Sequence, residues 1–297
     1  MYEMYRTLVV IVTYNAMQWI DHCLSSVKSS DAYADVFIID NGSTDGTQDY
    51  IKHNYPSALF QQSLKNLGFG KANNIGLRYA VDNGYDYVYL LNQDAWLLPD
   101  TLEIMLETHL AHPEYGVLSP IQMQANLKHI DRNFLLRLGS LGGGEIESLI
   151  LGKNNSVLEI DMTMAAHWLI SRECIERVGG FSPAFPHYCE DDNYADRVEY
   201  HGLKNGIVLK ARAIHDREDR VKTNRQKIYD NYINTIMNVS YLVKRRPHAL
   251  ASFYYHCIRD IFVYKSFLPL KYCVILTKSL KSIYSYKERS KDKKAFI

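Results

Sequence analysis

Three apolar runs in the first third of the chain each end in a cluster of Asp, Asn and Thr residues. The runs are Leu8–Thr13, Val36–Ile39 and Tyr87–Leu91, and helix-like apolar spacing separates each from the next. Strands that alternate with helices form βαβ units, whose strands lie parallel and are covered on both faces. The sequence therefore predicts an α/β fold, with a mainly parallel, Rossmann-like mixed sheet flanked by helices.

Further elements continue this alternation beyond the third run. A helix is predicted behind Pro99, and a short helix is predicted to end at Gly179-Gly180, a left-handed stop signal. Residues 124–156 do not continue the alternation of strands and helices, and we expect them to form a variable loop near a binding site. The predicted segments are Leu98–Leu110 (helix), Tyr115–Pro120 (strand), Val157–Ile170 (strand), Ser171–Val178 (helix) and Ala211–His215 (strand).

The polar clusters lie where the first three predicted strands end. They are Thr13-Tyr14-Asn15, Asp40 to Asp45, and Asn92-Gln93-Asp94. Each could be a simple turn, since these residue types are common in turns. Ligands on α/β sheets gather at the carboxyl ends of strands, so three such clusters on one edge indicate a binding site.

The residue types at this edge suit a nucleotide diphosphate bridged by a cation. Asp94 could hold Mg²⁺ or Mn²⁺, which keep several waters and bind substrate phosphates at their other positions. Asp40 could accept hydrogen bonds from a base or a ribose, and Tyr14 offers a ring face. Two nucleotide motifs are excluded: Asn73 stands where Gly68-Phe69-Gly70 would need a third glycine, and no G-x-x-x-x-G-K-[ST] run occurs.

Charge divides the chain into an acidic front and a basic tail. From Lys222 onward lie 16 of the 34 Lys and Arg residues but only 4 of the 33 Asp and Glu residues. This imbalance predicts two units, residues 1–221 and 222–297. The pattern from Arg225 onward is helical, and basic residues alternate there with Phe253, Tyr254, Ile258, Ile261 and Phe262.

That tail has a composition suited to an anionic membrane surface. Packing on the first unit, or on a second subunit in a homo-oligomer, is the alternative. The most apolar stretch, Ile261–Leu276, is interrupted by Lys265, Pro269 and Lys271 and is too short to span a bilayer.

The cysteines and the N-terminal residues bear on location. The five cysteines are odd in number and widely spaced, which is typical of reduced thiols in a cytosolic protein. The first 15 residues have no basic segment ahead of the apolar run, so we interpret them as a strand and not a signal peptide. We predict a cytoplasmic protein, and peripheral binding at the inner face of the cytoplasmic membrane is one of the two alternatives for its tail. The net charge is +1, and no nucleic-acid partner is expected.

Glu190, Asp191 and Asp192 are consecutive and precede a helical pattern. Such a cluster faces water, caps a helix, holds a cation or transfers protons. On the same helix, Arg197 is predicted to form a salt bridge with Glu190. Elsewhere, Asp45 is expected to be a helix N-cap, and Trp168 and Phe181 are expected in the core.

Several strings together resemble family 2 glycosyltransferases of the GT-A fold, in particular the bacterial rhamnosyltransferase-like branch. The resemblance covers about Leu8 to Asp216, with the motifs in the family's order. The strings are V-V-I-V-T-Y-N, I-I-D-N-G-S-T-D-G-T, N-L-G-F-G-K-A-N-N-I-G, L-L-N-Q-D-A-W, V-G-G-F and Y-C-E-D-D-N.

The resemblance implies a role for each matching position. Asp94 would be the metal ligand at the family's D-x-D motif, whose first position is Asn92 here, near the ribose. His215 would lie near the metal and the diphosphate. Asp40 would bond to the base. The remaining donor-binding positions would be Thr13, Tyr14 and Asn15 against the nucleoside, and Asn66, Gly68 and Asn74 lining the donor pocket.

In the family's E-D-x-D stretch, Glu190 and Asp191 match, and Asn193 replaces the last aspartate. Asp191 would then be the catalytic base, Glu190 would position the acceptor, and Asp192 would face water. The physical argument agrees, because inverting transfer needs a base on the acceptor hydroxyl. Backbone N–H groups at a helix start would keep Asp191 ionised, while adjacent carboxylates raise each other's pKa.

These observations predict an inverting, metal-dependent transferase that moves one sugar from a nucleotide-diphosphate sugar. The first donor to test is dTDP-rhamnose and the second a UDP-sugar, with a saccharide or lipid-linked saccharide acceptor in bacterial surface polysaccharide synthesis. A missing Q-x-x-R-W pattern argues against a polymerising synthase. The alternatives are a non-catalytic sugar-nucleotide-binding or assembly protein, and a sugar-1-phosphate nucleotidyltransferase, which would need a basic Gly-rich loop after the first strand.

Overall fold

The computed structural model describes residues 4–139, 141–144, 147, 151, 156–217, 222–244 and 246–297. Within them, nine strands form a single sheet in the order β3-β2-β1-β4-β8-β6-β9-β5, with β7 paired to β9. The strands are β1 (Thr7–Thr13), β2 (Asp35–Asp40), β3 (Leu59–Gln62), β4 (Tyr87–Asn92), β5 (Ala95–Leu97), β6 (Tyr115–Met123), β7 (Val157–Glu159), β8 (His167–Ser171) and β9 (Lys204–His215).

The sheet is parallel on one side and mixed on the other. Strands β3, β2, β1 and β4 run parallel, with Thr13 opposite Asp40 and Val12 opposite Asn92. Strand β8 is antiparallel to both β4 and β6, and β9 is parallel to β6. The ends of β1, β2 and β4 therefore meet at one edge, as the sequence predicts.

Ten helices are labelled here in chain order. They are α1 (Ile20–Lys28), α2 (Thr47–Asn54), α3 (Phe69–Asp82), α4 (Thr101–Ala111), α5 (Arg132–Leu138), α6 (Arg172–Val178), α7 (Glu190–Tyr200), α8 (Asn224–Ser240), α9 (Ala249–Tyr264) and α10 (Leu268–Arg289).

Both faces of the central strands are buried. Val9 and Ile11 of β1 pack into one apolar cluster, and Leu8 and Val10 pack into another on the opposite face. Helix α3 approaches β1 closely at Gly76, where a Cβ atom would lie 2.5 Å from a Val10 methyl carbon. Burial on both sides explains why these strands are continuous apolar runs.

A third apolar cluster joins the C-terminal helices to the rest of the chain. It contains residues of α8, α9 and α10 together with Phe185, which lies just before α7. The last residues return to the sheet-bearing part, where the Gly180 N–H donates to the Ala295 carbonyl at 2.7 Å. In the part of the chain that the structure describes, no helix is both long and apolar enough to cross a bilayer.

The structure differs from the sequence expectations at a few boundaries. Strand β3 was not predicted, and its residues are mostly exposed at the sheet edge. Helix α4 begins at Thr101 and not at Leu98, because the short strand β5 precedes it. The segment Val157–Ile170 forms two strands rather than one. The proposed boundary at 221/222 adjoins residues 218–221, which lie outside the described residues. Ten of the 33 residues of the expected loop at 124–156 also lie outside them, and the described part is not all loop, because it contains α5.

Candidate active site

The ends of β1 and β4 are joined through a glutamine side chain. Gln93 accepts a hydrogen bond from the Tyr14 N–H at 2.7 Å and donates to the Tyr14 carbonyl at 3.2 Å. The Tyr14 ring is about half exposed beside this contact. An exposed aromatic ring at the edge of the sheet is suited to stacking on a planar base.

Asp40 lies at the end of β2 and is fully buried. One carboxylate oxygen accepts bonds from the N–H groups of Gly42 and Ser43 and from the Gln48 side chain, at 2.8–3.1 Å. The other accepts bonds from the hydroxyls of Thr13, at 2.9 Å, and Ser43, at 2.5 Å. Both oxygens are engaged inside the protein, so in this conformation Asp40 and Thr13 shape the loop after β2.

Asn15 connects the same loop to the end of β1. Its side-chain oxygen accepts the Thr44 N–H at 2.9 Å, and its own N–H donates to the Ser43 hydroxyl at 2.8 Å. Asn15 has a φ of 51°, a left-handed conformation that Asn tolerates better than most residues. Asp45 accepts the Thr47 N–H at 3.1 Å at the start of α2, whose N-cap position itself is Gly46.

Asp94 and His215 face each other across the pairing of β5 with β9. The Asp94 Oδ1 to His215 Nε2 distance is 3.7 Å. His215 is buried, and its Nδ1 has no hydrogen-bond partner among the described residues. The sequence predicts both residues as neighbours of a metal, and the fold brings them together.

Burial, the Arg217 charge and His167 lower the pKa of His215 to about 3, while Asp131 opposes the shift. The imidazole is therefore neutral at physiological pH, which is the form that binds metal ions. Arg217 is held by Asp131 through a two-pronged ion pair with distances of 3.1 and 3.0 Å.

His167 contacts the strand that carries His215. Its Nε2 lies 2.8 Å from the carbonyl of Ile214, the residue before His215, and its Nδ1 lies 3.0 Å from the Tyr89 hydroxyl. All of His167 is buried, and burial lowers its pKa to about 4, so it is neutral. The sequence analysis did not single out His167, whose only signal was a polar residue inside an apolar strand.

Asp94 and His215 fit half of a divalent metal site. Among the described residues, no group of three or more His, Cys, Asp and Glu side chains could hold an ion. Magnesium and manganese that bridge substrate phosphates need only one or two protein ligands. A separation of 3.7 Å is also too long for a direct hydrogen bond, so one cation could contact both groups.

The acidic cluster begins α7, as the sequence predicts. Glu190 is buried, and its Oε2 has no hydrogen-bond partner among the described residues. Burial, and next the charge of Asp191, raise the pKa of Glu190 to about 8. Burial and the Asp192 charge raise the pKa of Asp191 to about 6, although the Asp192 N–H and Arg137 lower it. Burial thus outweighs the stabilisation by the helix start that we expected for Asp191.

Asp192 does not face water, contrary to the expectation. Its carboxylate is mostly buried and pairs with both terminal nitrogens of Arg137, at 3.2 and 3.3 Å. Arg137 lies at the end of α5, and Asp131 caps the start of α5 by accepting the Phe134 N–H at 2.8 Å. This short helix therefore connects Arg217, two residues after His215, to the acidic cluster.

The predicted salt bridge between Arg197 and Glu190 is wrong. Arg197 is fully buried and donates to the carbonyls of Val178 and Gly180, and its guanidinium carbon lies 5.0 Å from the centre of the Phe296 ring. Helix α7 turns the Arg197 side chain toward these carbonyls instead of toward the Glu190 carboxylate. Trp168 and Phe181 lie in the core, as expected.

The predicted donor-pocket residues are divided between two regions. Asn66 is exposed and accepts the Gly68 N–H at 2.8 Å. Gly68 has a φ of 80°, and a Cβ there would lie 2.7 Å from the Pro186 carbonyl oxygen, so the loop touches the segment that leads into α7. Asn74 instead bonds to Phe181, donating to its carbonyl at 2.9 Å and accepting its N–H at 2.6 Å. Asn92 is half-buried at the end of β4.

A model of glycosyl transferase family 2 matches residues 8–177, which is more than half of the chain. The chain belongs to glycosyltransferase family 2. The family assignment from the sequence strings is thereby confirmed, and the protein is a glycosyltransferase of glycan synthesis.

Named relatives and solved structures agree with this assignment. This glycosyltransferase is 25% identical over 241 residues to an N-acetylglucosaminyl-diphospho-decaprenol L-rhamnosyltransferase of Mycobacterium tuberculosis, covering 70% of this chain and 75% of the relative. A low-salt glycan biosynthesis hexosyltransferase of Haloferax volcanii is 22% identical over 214 residues, covering 70% of this chain and 66% of the relative.

The GT-A fold is confirmed by structural similarity. The UDP complex of TarS residues 1–349 from S. aureus superimposes with a TM-score of 0.58 at 15% identity, over 82% of this chain and 68% of that one. A mannosyltransferase from Pyrobaculum calidifontis, in complex with GDP-Man and Mn²⁺, superimposes with a TM-score of 0.57 at 20% identity, over 94% and 76%.

Proposed function

We propose that this glycosyltransferase transfers one sugar, with inversion and with a divalent metal, from a nucleotide-diphosphate sugar to a saccharide acceptor. The observation that carries the proposal is the connection through α5. At its start Asp131 binds Arg217, next to the Asp94–His215 pair, and at its end Arg137 binds Asp192. Six residues of helix span about 9 Å, so α5 links two groups of residues that are far apart in sequence.

Asp191 is the proposed base. A raised pKa of about 6 leaves the carboxylate ionised at pH 7 to 8 but basic enough to accept the proton of an acceptor hydroxyl. The deprotonating oxygen attacks the anomeric carbon, and the bond from that carbon to the diphosphate oxygen breaks on the opposite face. At pH 7, below its pKa of about 8, Glu190 is mostly protonated and can donate a hydrogen bond that orients the acceptor.

The other half of the site is proposed to hold the donor. Asp94 and His215 would hold Mg²⁺ or Mn²⁺, which would supply charge compensation on the departing diphosphate. Tyr14 would stack on the base, with Thr13 and Asn15 beside the nucleoside. Asp40 would reach the base only if the loop after β2 rearranges, because its oxygens are fully engaged.

Of the remaining donor positions, three would lie in the donor pocket and Asn74 would not. Asn66, Gly68 and Asn92 would line the donor pocket near the ribose and sugar. Gly70, in the first turn of α3, supports this arrangement, because a Cβ there would lie 3.8 Å from the Glu190 Cβ, so the start of α3 adjoins the acidic cluster. Asn74 would act indirectly, by fixing α3 to Phe181.

The proposed donors are dTDP-rhamnose first and a UDP-sugar second, with a lipid-linked saccharide as acceptor. The name of the mycobacterial relative describes transfer of L-rhamnose to N-acetylglucosaminyl-diphospho-decaprenol, which supports rhamnose as the sugar and a lipid-linked saccharide as the acceptor. Residues 1–221 would form the catalytic unit and residues 222–297 a helical unit. The enzyme would act in the cytoplasm, at the inner face of the membrane.

Donor screening followed by product analysis tests the proposal. Thermal unfolding is measured with Mn²⁺ and each nucleotide sugar, since a ligand at 100 times its Kd stabilises the fold by ~2.7 kcal/mol. The donor that stabilises is then incubated with acceptor, and the anomeric configuration of the product is read by NMR. Inverted product supports the proposal. Retained configuration, or full turnover in the presence of a metal chelator, contradicts it.

A further inference from the structure

The tip of the helical hairpin formed by α9 and α10 is unusually apolar for an exposed surface. Phe262 and Phe267, on either side of the turn, are 77% and 78% exposed. The apolar residues of this region with exposed side chains, here called the hairpin tip, are Tyr255, Ile258, Phe262, Val263, Phe267, Leu270 and Val274. Clustered exposed apolar groups mark an interaction surface, whereas scattered ones need no explanation.

The two helices are antiparallel, and their inner faces are already occupied. Tyr254 and Thr277 share a hydrogen bond of 2.8 Å across the hairpin, and Lys265 makes the turn with a φ of 49°. Phe253 and Cys257 of α9, with Leu276 of α10, are buried in the third apolar cluster. The exposed side chains of the hairpin tip therefore lie on the outer side of these helices and around the turn, whereas Asp260 and Pro269 nearby are buried. The stretch of α9 from Ile258 to Tyr264 is about 9 Å long.

Charge around the hairpin tip is almost entirely positive. Between Tyr255 and Val274 the only acidic residue is Asp260, which is buried and bound to Arg259 at 2.6 Å. Exposed basic residues lie in the turn and along α10: Lys265, Lys271, Lys278 and Lys281. Apolar side chains backed by lysines are the composition of segments that bind anionic lipid surfaces.

A chain of side-chain contacts also joins the hairpin to the segment that leads into the acidic cluster. The Tyr272 ring of α10 stacks on Tyr232 of α8, with ring centres 4.8 Å apart, and lies 5.9 Å from the ring of Tyr229. The Tyr229 hydroxyl donates to the His187 carbonyl at 3.0 Å, three residues before Glu190. A surface bound by the hairpin tip would thus lie on the acceptor side of the proposed site.

We propose that the hairpin tip inserts into the headgroup region of an anionic lipid bilayer, with the exposed lysines bound to lipid phosphates. Interfacial segments enter the headgroup region by about 5–10 Å. The binding itself does not depend on the proposed reaction. The benefit of presenting a lipid-linked acceptor does rest on the proposed function.

Vesicle flotation of the full chain tests this proposal. The probes are vesicles of phosphatidylcholine alone and of phosphatidylcholine with phosphatidylglycerol. We expect recovery with the anionic vesicles only, falling as salt is raised. Phe262→Ser combined with Phe267→Ser should lower partitioning by about tenfold or more. Lys271→Gln and Lys278→Gln should each lower it by about fivefold, since each lysine near an anionic surface contributes ~1 kcal/mol.

Matched controls separate membrane binding from loss of folding and from self-association. Tyr33→Ser removes another exposed aromatic residue, 83% exposed, and Lys128→Gln another exposed lysine. Both should float as the unsubstituted protein does, and all variants should keep its unfolding temperature. Equal recovery on neutral and anionic vesicles overturns the proposal, as does no recovery on either. A dimer in light scattering that Phe262→Ser and Phe267→Ser dissociate also overturns it.

Discussion

Arg137 and Asp192 form a two-pronged ion pair, with nitrogen–oxygen distances of 3.2 and 3.3 Å, between residues 55 positions apart in sequence. The pair fastens the end of α5 to the first turn of α7. It also supplies the positive charge that partly offsets the three neighbouring carboxylates, because Arg137 lowers the pKa of both Asp191 and Asp192.

Arg137→Gln should therefore move the pH dependence of catalysis. Without the guanidinium, the pKa of Asp191 rises further, so the acidic limb of the pH–kcat profile should shift to higher pH. Rates at pH 7 should fall while rates at pH 9 change less. Arg132→Gln, on the exposed first turn of the same helix, is the control. An unchanged limb in Arg137→Gln would show that Arg137 acts on structure alone.

The unsubstituted enzyme should lose activity as pH falls through about 6. Asp191 must be ionised to accept a proton, and burial with the Asp192 charge raises its pKa from 3.8 to about 6. Well below that pH, kcat should decrease about tenfold per pH unit, as for a single required ionisation. Steady-state kinetics between pH 4.5 and 9 measure this limb. A limb centred near 4 would disagree with the environment described for Asp191.

Glu190→Gln should change stability in a pH-dependent way. The folded pKa of Glu190, about 8, lies above the ordinary value of 4.5. The stabilisation from holding the proton is therefore complete below pH 4.5 and is lost as pH rises through about 8. Gln has no proton to lose. Between pH 5 and 8 the free energy of unfolding of the variant should therefore rise relative to that of the unsubstituted protein, by a few kcal/mol at most. Urea unfolding at several pH values gives the difference, and a constant difference would contradict burial of an ionisable Glu190.

Asp94→Ala should abolish the effect of metal on donor binding. Asp94 is the carboxylate that faces His215, and few protein ligands are needed for an ion that also binds phosphates. Calorimetry with the nucleoside diphosphate, with and without Mn²⁺, measures the effect. Asp31→Ala, at an exposed loop position, is the control. Full metal enhancement in Asp94→Ala would remove Asp94 from the metal site.

The sequence predicted the central strands and the sheet edge because those strands are buried on both faces and end in polar turns. It did not predict β3, whose Leu59, Gln61 and Gln62 are exposed at the sheet edge and carry little apolar signal. The acidic cluster and the start of α7 were also predicted. Their partners were not, because Arg137 approaches Asp192 only through tertiary packing, and nothing local distinguishes it from other exposed arginines.

The sequence also predicted the wrong partner for the Arg197 side chain, for a related reason. Helical spacing brings it within reach of Glu190, but the alternative partners are backbone carbonyls of Val178 and Gly180, which have no signature in sequence. The hydrogen bonds of Asp40 could not be predicted from the sequence either. Its position at the end of β2 was predicted, whereas its five internal hydrogen bonds depend on how the following loop folds.

Turnover of Asp191→Asn tests the central claim most directly. Asparagine keeps the shape and can still accept the Asp192 N–H, which Asp191 accepts at 2.9 Å, but it cannot take a proton. General-base catalysis is worth ~10²–10⁴ in rate, so kcat should fall by at least about 10² while donor affinity stays nearly constant. Glu190→Gln, measured alongside, should be milder and act partly on the acceptor KM. Near-normal turnover of Asp191→Asn, with intact donor binding, would contradict the proposed mechanism.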